Sequence, residues 1–220
     1  MVRLVCLLIG YGCGLFQTSY IYGKMHGIDI REQGSGNAGT TNALRTLGAK
    51  AGVITFLGDC LKCIIAVLIV KLIFGNSHAD SIKLLGLYAA AGTIIGHNFP
   101  FYMNFKGGKG VAATAGLLLS FDLKLTLIAL IVFMLAFFVT HYVSLGSMLV
   151  YAVFLIGTII FGQLGMWGME QRYSNEMYIV AALLTSLAVY RHKDNIRRLI
   201  KGGENKTYLS STARKKAMEE

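Results

Sequence analysis

The sequence predicts an all-α, polytopic integral membrane protein, and three observations carry that expectation. Of the 220 residues, 55% are hydrophobic and only 15% are charged. The apolar residues fall in long blocks, at 4–22, 51–75, 82–96, 125–140 and 143–164, instead of alternating with polar ones as a soluble core requires. Several blocks approach or exceed the roughly 20 residues a helix needs to cross the hydrocarbon core. Too little polar sequence separates them for a soluble domain. Residues 1–220 therefore read as one membrane-embedded domain whose function lies in short loops and helix ends.

Taken in order, block 4–22 has the length of a secretory leader. Tyr20, Ile21, Tyr22 and Gly23 offer no small-residue cleavage site, so this block is expected to be the first span. Block 51–75 contains Asp59 and Lys62, three residues apart and costly in lipid unless paired, which read as a structural ion pair. It also holds Cys60 and Cys63. These two have the spacing of a metal or redox pair, but no second pair accompanies them; with Cys6 and Cys13 they read as packing residues, and no metal site is expected. Block 82–96 is expected to end at Pro100, the one proline.

The stretch 111–140 is too long for one comfortable helix, and Asp122 and Lys124 interrupt it, so it is expected to form two elements. The first, about residues 110–121, rises roughly 18 Å against a core of about 30 Å. It is expected to begin below the membrane interface with its N-terminus pointing into a cavity. Block 143–164 opens with Ser144 and Ser147, whose hydroxyls either join a site or let helices pack closely. The final apolar segment, about 177–190, is short.

Charge sets the sidedness. Most of the 21 Lys and Arg residues lie in 24–50, 99–110 and 191–220, which puts these segments in the cytoplasm. A basic tail on the same face as loop 24–50 needs an odd number of crossings. The expectation is therefore seven transmembrane helices, with the N-terminus extracytoplasmic and the C-terminus cytoplasmic. The basic excess, 21 against 11 acids, is explained by this topology, and no basic run interleaved with aromatics points to nucleic acid.

Three loops on that face carry chemistry. In the first, Gly34, Gly36 and Gly39 permit positive φ and close backbone approach to a ligand. Ser35, Asn37, Thr41 and Asn42 offer neutral donors, and Arg45 presents a planar fork suited to phosphate. A flexible turn capping the next helix is the plainer reading. The second runs Lys106, Gly107, Gly108, Lys109, Gly110 into a helix. Successive N–H groups, a helix N-terminus and two ammonium groups would suit an anion. The spacing is not that of a P-loop, so nothing supports ATP hydrolysis; a positive-inside anchor is the plainer reading. In the third, His192 and Asn195 share a face if helical, and His192 is of the residue type that could shuttle a proton near neutrality. A basic segment on anionic lipid would look similar.

Together these loops resemble the signature of the bacterial acyl-phosphate:glycerol-3-phosphate acyltransferase family, PlsY. The resemblance runs through 31–48, 96–114 and 191–206, with Asp59, Lys62 and 144–147 in family-like positions. One small departure is Ala112-Ala113-Thr114, where the family more often has Ala-Thr directly. The resemblance implies a seven-helix enzyme of the bacterial plasma membrane with a cytoplasmic site and no cofactor, functional as a monomer among membrane lipid. It would transfer a fatty acyl group from acyl phosphate to the 1-hydroxyl of glycerol 3-phosphate, giving lysophosphatidic acid and phosphate. It also implies that Ser35, Arg45, His192 and Asn195 serve catalysis. The substrate phosphates would be held by Gly36, Asn37, Thr41, Asn42, Lys106, Gly107, Gly108, Lys109 and Gly110, with Ser144 and Ser147, while Glu204 would hold the third loop in place.

The residues suit that chemistry, because an acyl phosphate already has a good leaving group. Two anions must be held together and a hydroxyl aimed at a carbonyl. Ser35 reads as a hydrogen-bond donor, since no Ser–His–Asp order is present; either His192 or a substrate phosphate takes the proton. No aspartate lies five residues after any of the five histidines, and a paired-aspartate motif is missing, which sets aside two other lipid-enzyme classes. A transporter of phosphorylated solutes would show internal repeats and helices broken at the midplane. The three loops are mutually dissimilar and share one face. A structural scaffold would leave the glycines and Ser35 without a purpose.

Overall fold

A computed structural model describes residues 1–208. Arg214, Lys215 and Lys216, which contributed to the expected sidedness, lie outside the described residues. Among the described residues, ten α-helices follow one another: α1 Val2–Gly14, α2 Thr18–Met25, α3 Thr40–Leu47, α4 Ala49–Phe74, α5 Ile82–Asn98, α6 Val111–Phe121, α7 Leu123–Thr140, α8 Val143–Gln163, α9 Gln171–Arg191 and α10 Lys193–Ile200. No strand occurs among the described residues. Four helical segments among the described residues are long and apolar enough to cross a membrane: Val2–Met25, Ala49–Phe74, Leu123–Thr140 and Val143–Gln163. Their outward faces are apolar. On α7, Leu127, Ile131, Leu135, Phe138 and Val139 are all exposed, a surface that only lipid would solvate.

The first block is broken where one continuous helix was expected. Gln17, fully buried, sits in the break and donates from Nε2 to the carbonyls of Gly14 at 3.1 Å and His97 at 3.1 Å. It thereby ties the break to the end of α5. The α1 and α5 backbones meet through Gly10 and Gly14 against Gly92 and Gly96. A Cβ on Gly10 would lie 1.9 Å from the Ala89 carbonyl oxygen, and one on Gly92 would lie 2.0 Å from that of Leu7. Small residues four apart on both helices allow this approach, and larger ones would force the pair apart.

The stretch 111–140 divides at Asp122, whose carboxylate caps α7 by accepting from Leu125 N at 3.0 Å. Trp167 Nε1 holds the other carboxylate oxygen at 3.0 Å. The carbonyls left at the end of α6 are met by Lys71 (Ser120 O, 3.3 Å) and Lys83 (Phe121 O, 2.5 Å). A short apolar helix can end there because two ammonium groups satisfy what its last turn leaves open. Helix α9 is longer than its apolar core suggested. Polar residues 171–176 are helical as well, anchored where Glu176 pairs with Arg3 (Nη2 to Oε2, 2.7 Å) and accepts from Tyr88 Oη at 2.7 Å. Inside the bundle, Leu84, Leu87, Ala90, Leu117, Leu125 and Phe154 form one buried apolar core. It leaves the polar chemistry to the end where α5, α7 and α9 finish and α4, α6 and α8 begin.

Candidate active site

The first loop is organised by one side chain. Asn42, buried on α3, accepts from Ser35 N at 2.9 Å and donates from Nδ2 to the carbonyls of Ile30 at 3.0 Å and Gln33 at 2.9 Å. Its side-chain amide is engaged in holding the turn, so the side chain expected to donate to phosphate is a scaffold for its neighbours and only its backbone N–H stays open. Gly34 at φ +58° and Gly36 at φ +69° make the turn. It exposes Ser35 to the cleft and leaves the N–H groups of Thr40, Thr41 and Asn42 without partners among the described residues. Asp29 anchors the approach by accepting from Arg31 Nη2 at 2.7 Å. This guanidinium holds the Asp29 carboxyl well below the usual carboxylate range.

The second loop differs from the expected nest. The N–H of Gly107 donates to Asn98 O at 3.2 Å and that of Gly108 to His97 O at 3.1 Å, which ties the turn to the end of α5. Arg191 holds the other side, donating from Nη2 to the carbonyls of Gly107 at 3.1 Å and Gly108 at 2.7 Å. These glycines are therefore clamped. The available donors lie one turn later, at the N–H groups of Gly110, Val111, Ala112 and Ala113, which have no partner among the described residues; Thr114 N makes the first helical bond, to Gly110 O at 2.8 Å. Gly110 at φ +80° lets the chain enter α6 so that this end faces the cleft.

In the third segment the helix breaks at His192, which ends α9 and begins α10. His192 is buried and still lines the cleft. Burial pushes its imidazole down to about 4, with the cations of Lys109 and Arg191 adding to the shift against the Ala188 hydrogen bond. Asn195 accepts from Lys109 Nζ and donates to Glu204 Oε1 at 2.7 Å. Glu204 also accepts from Ser144 Oγ at 3.1 Å and from Arg198 Nε at 2.8 Å. Asn195 thus links the second loop to the third, and Ser144 faces Glu204. Residues 202–208 form a strap past Arg45, whose Nη2 donates to Asn205 O at 3.0 Å and Thr207 Oγ1 at 2.5 Å.

The three segments wall one cleft of about 720 Å³. Ser35, Gly36, Asn37, Thr41, Asn42 and Arg45 reach it from the first loop, and Lys106, Gly107, Lys109 and Gly110 from the second. Ser144, Ser147, His192, Asn195 and Glu204 reach it from the remaining elements, and Asp59 from α4. Gly108 and Lys62 stand behind the wall. Ser147 turns its hydroxyl to Val143 O at 2.7 Å. Sequence reasoning passed over Arg191, Arg198 and His97 as site residues; they lie in the same motifs, but their contacts are made across the fold. Two helix N-termini, those of α3 and α6, open onto this space together with Arg45, Lys106 and Lys109. Burial, more than neighbouring charge, pushes Lys109 down to about 8.

Long apolar helices with polar chemistry gathered in one cleft at a bundle end define the class: a helical membrane protein with a cleft rich in basic residues and glycines. The sequence model described as "Glycerol-3-phosphate acyltransferase" matches residues 4–202. The chain is 41% identical to the glycerol-3-phosphate acyltransferase of Clostridioides difficile, over 92% of this chain and 94% of that one. It is 39% identical to that of Bacillus subtilis, over 94% and 98%. Among solved structures, it is similar to PlsY, an integral membrane glycerol 3-phosphate acyltransferase, in its glycerol 3-phosphate form. There the TM-score is 0.80 and the identity 29%, over 94% of this chain and 96% of that one. The lysophosphatidic acid form gives a TM-score of 0.76. The chain belongs to the glycerol-3-phosphate acyltransferase family, PlsY.

Proposed function

We propose that this chain transfers a fatty acyl group from acyl phosphate to the 1-hydroxyl of glycerol 3-phosphate, releasing lysophosphatidic acid and inorganic phosphate. The observation that carries the reading is the pair of helix N-termini, α3 and α6, opening with Arg45, Lys106 and Lys109 onto one cleft. Two phosphorylated substrates need two anion sites side by side, and such sites hold charge without covalent catalysis.

In the reaction, the glycerol hydroxyl oxygen attacks the acyl carbonyl carbon. A new C–O bond forms, and the anhydride C–O bond breaks with its electron pair leaving on phosphate. A neutral His192 is a weak base at about 4, below the second ionisation of a phosphate monoester near 6. The proton therefore passes to phosphate, while His192 orients the hydroxyl. Ser35 donates a hydrogen bond and is not acylated.

The alternation of helix ends at the cleft supports seven crossings, with α1 and α2 as one broken span and α6 as the short fourth. Under the positive-inside rule the site then faces the cytoplasm and the N-terminus the other side of a bacterial plasma membrane. The reading takes the enzyme to act as a monomer.

The test is to incubate purified protein in detergent or lipid with palmitoyl phosphate and glycerol 3-phosphate. Lysophosphatidic acid and phosphate should appear in equal amounts. No product from folded protein, or a trapped acyl-Ser35, overturns the reading.

A further inference from the structure

Behind the Gly107 and Gly108 turn, Asp59 and Lys62 of α4 meet His97 of α5, and all three are buried. Lys62 Nζ lies 2.6 Å from Phe16 O, 2.8 Å from Asp59 Oδ1 and 2.8 Å from His97 Nδ1. An ammonium has three N–H donors and no acceptor. Three acceptors use it up, which makes His97 Nδ1 the unprotonated nitrogen and assigns the ring proton to Nε2. Thr18 Oγ1 donates to the same Asp59 oxygen at 3.1 Å. The ring is thus held in one orientation and one tautomer through its Nδ1 edge.

The held ring meets Gly108. A Cβ there would come within 2.0 Å of His97 Nε2, and the His97 carbonyl takes the Gly108 N–H at 3.1 Å. Arg191 grips the same residue from the opposite side, at 2.7 Å to its carbonyl. One turn further on lies the open N-terminus of α6. A buried ion pair gives little net stability over apolar groups of the same shape. This one does something an apolar pair cannot: it fixes the direction of an imidazole that abuts the loop.

We propose that Asp59, Lys62 and His97 form a positioning network that sets the Gly107 and Gly108 turn, and through it the phosphate affinity of the α6 N-terminus. The inference rests on the proposed acyltransfer reading and takes this end of the cleft as the place of glycerol 3-phosphate. None of the three is assigned a catalytic role. Their effect reaches the ligand through Gly108, as a supporting shell reaches the groups it orients.

The test uses the purified full chain and two variants chosen to fold. Asp59→Asn with Lys62→Met removes both charges together and leaves no unpaired ion. His97→Asn keeps an oxygen for Lys62 but removes the ring from Gly108. Each should raise the KM for glycerol 3-phosphate at least tenfold, with kcat and the KM for palmitoyl phosphate within threefold. Calorimetric Kd for glycerol 3-phosphate should rise in parallel, and combination with Gly108→Ala should add less than the product of the separate effects. A parent-like KM and Kd in folded His97→Asn overturns the network, as does a fall in kcat alone. If the parent binds glycerol 3-phosphate but transfers no acyl group, the acyltransfer reading fails while the Kd pattern still judges the network. A parent that does not bind it ends both.

Discussion

The imidazole Nδ1 of His192 lies 2.8 Å from the carbonyl oxygen of Ala188, one helical turn back. A carbonyl only accepts, so Nδ1 carries the proton and a neutral ring presents an unprotonated Nε2. With the ring pushed down to about 4, this form persists at neutral pH. His192 is then a fixed acceptor for a substrate hydroxyl before it is a base. Replacement by Ala should lower kcat about 10²-fold through lost orientation of the hydroxyl, and Gln should recover part of it. Between pH 5 and 8, the kcat profile of His192→Gln should keep the parent's shape. A parent limb with an apparent pKa near 6.5 that disappears in His192→Gln would make His192 the proton acceptor instead.

Lys109 governs the alkaline side. Its ammonium, pushed down to about 8, loses its charge as pH rises through that value, and with it the attraction for phosphate. Since kcat/KM reports the free enzyme, kcat/KM for glycerol 3-phosphate should be level from about pH 7 to 8, above the phosphate ionisation near 6, and fall above pH 8. Lys109→Arg retains its charge throughout and should move this limb to higher pH. An identical limb in both proteins would assign it to another group.

Gly108 has no room for a methyl group. A Cβ would approach His97 Nε2 to 2.0 Å and Ala38 O to 2.7 Å, so the turn has to shift. Gly108→Ala is expected to raise the glycerol 3-phosphate requirement more than it lowers turnover. Initial-rate kinetics with each substrate varied in turn will separate these effects. An unchanged requirement would assign this turn to the other phosphate, or to none.

Glu204 ties the strap down. Three donors, from Ser144, Asn195 and Arg198, converge on its buried carboxylate. Glu204→Ala leaves two of them without an acceptor in a buried place, a loss of about 1–3 kcal/mol. The melting temperature should fall, and amide exchange should quicken first at residues 202–208, where the Arg45 contacts lie. Unaltered exchange there would mean that the strap is held by Arg45 and Thr207 alone.

Much of this protein was legible in its sequence because lipid imposes strong rules. Apolar blocks, the Asp122 interruption and the clustering of Lys and Arg depend on local composition, so the helices and the division of 111–140 could be read directly. The candidate residues Ser35, Arg45, Lys106, Lys109, His192 and Asn195 stood out only through the three loops taken together, since each loop alone had a plainer reading as cap, anchor or lipid-binding segment. Partnership was not visible. Gln17 breaks the first block only because the carbonyls of α5 stand opposite it. Asn42 spends its amide on its own loop, and the N–H groups of Gly107 and Gly108 are taken by α5, which moves the open donors to the start of α6. His97 joins the ion pair expected of Asp59 and Lys62 through packing between α4 and α5. Sequence specified which chemical groups are present and which segments are apolar enough for a bilayer. Only tertiary structure decided which of those groups remain free to meet a ligand, because a donor's availability depends on what the rest of the chain sets against it.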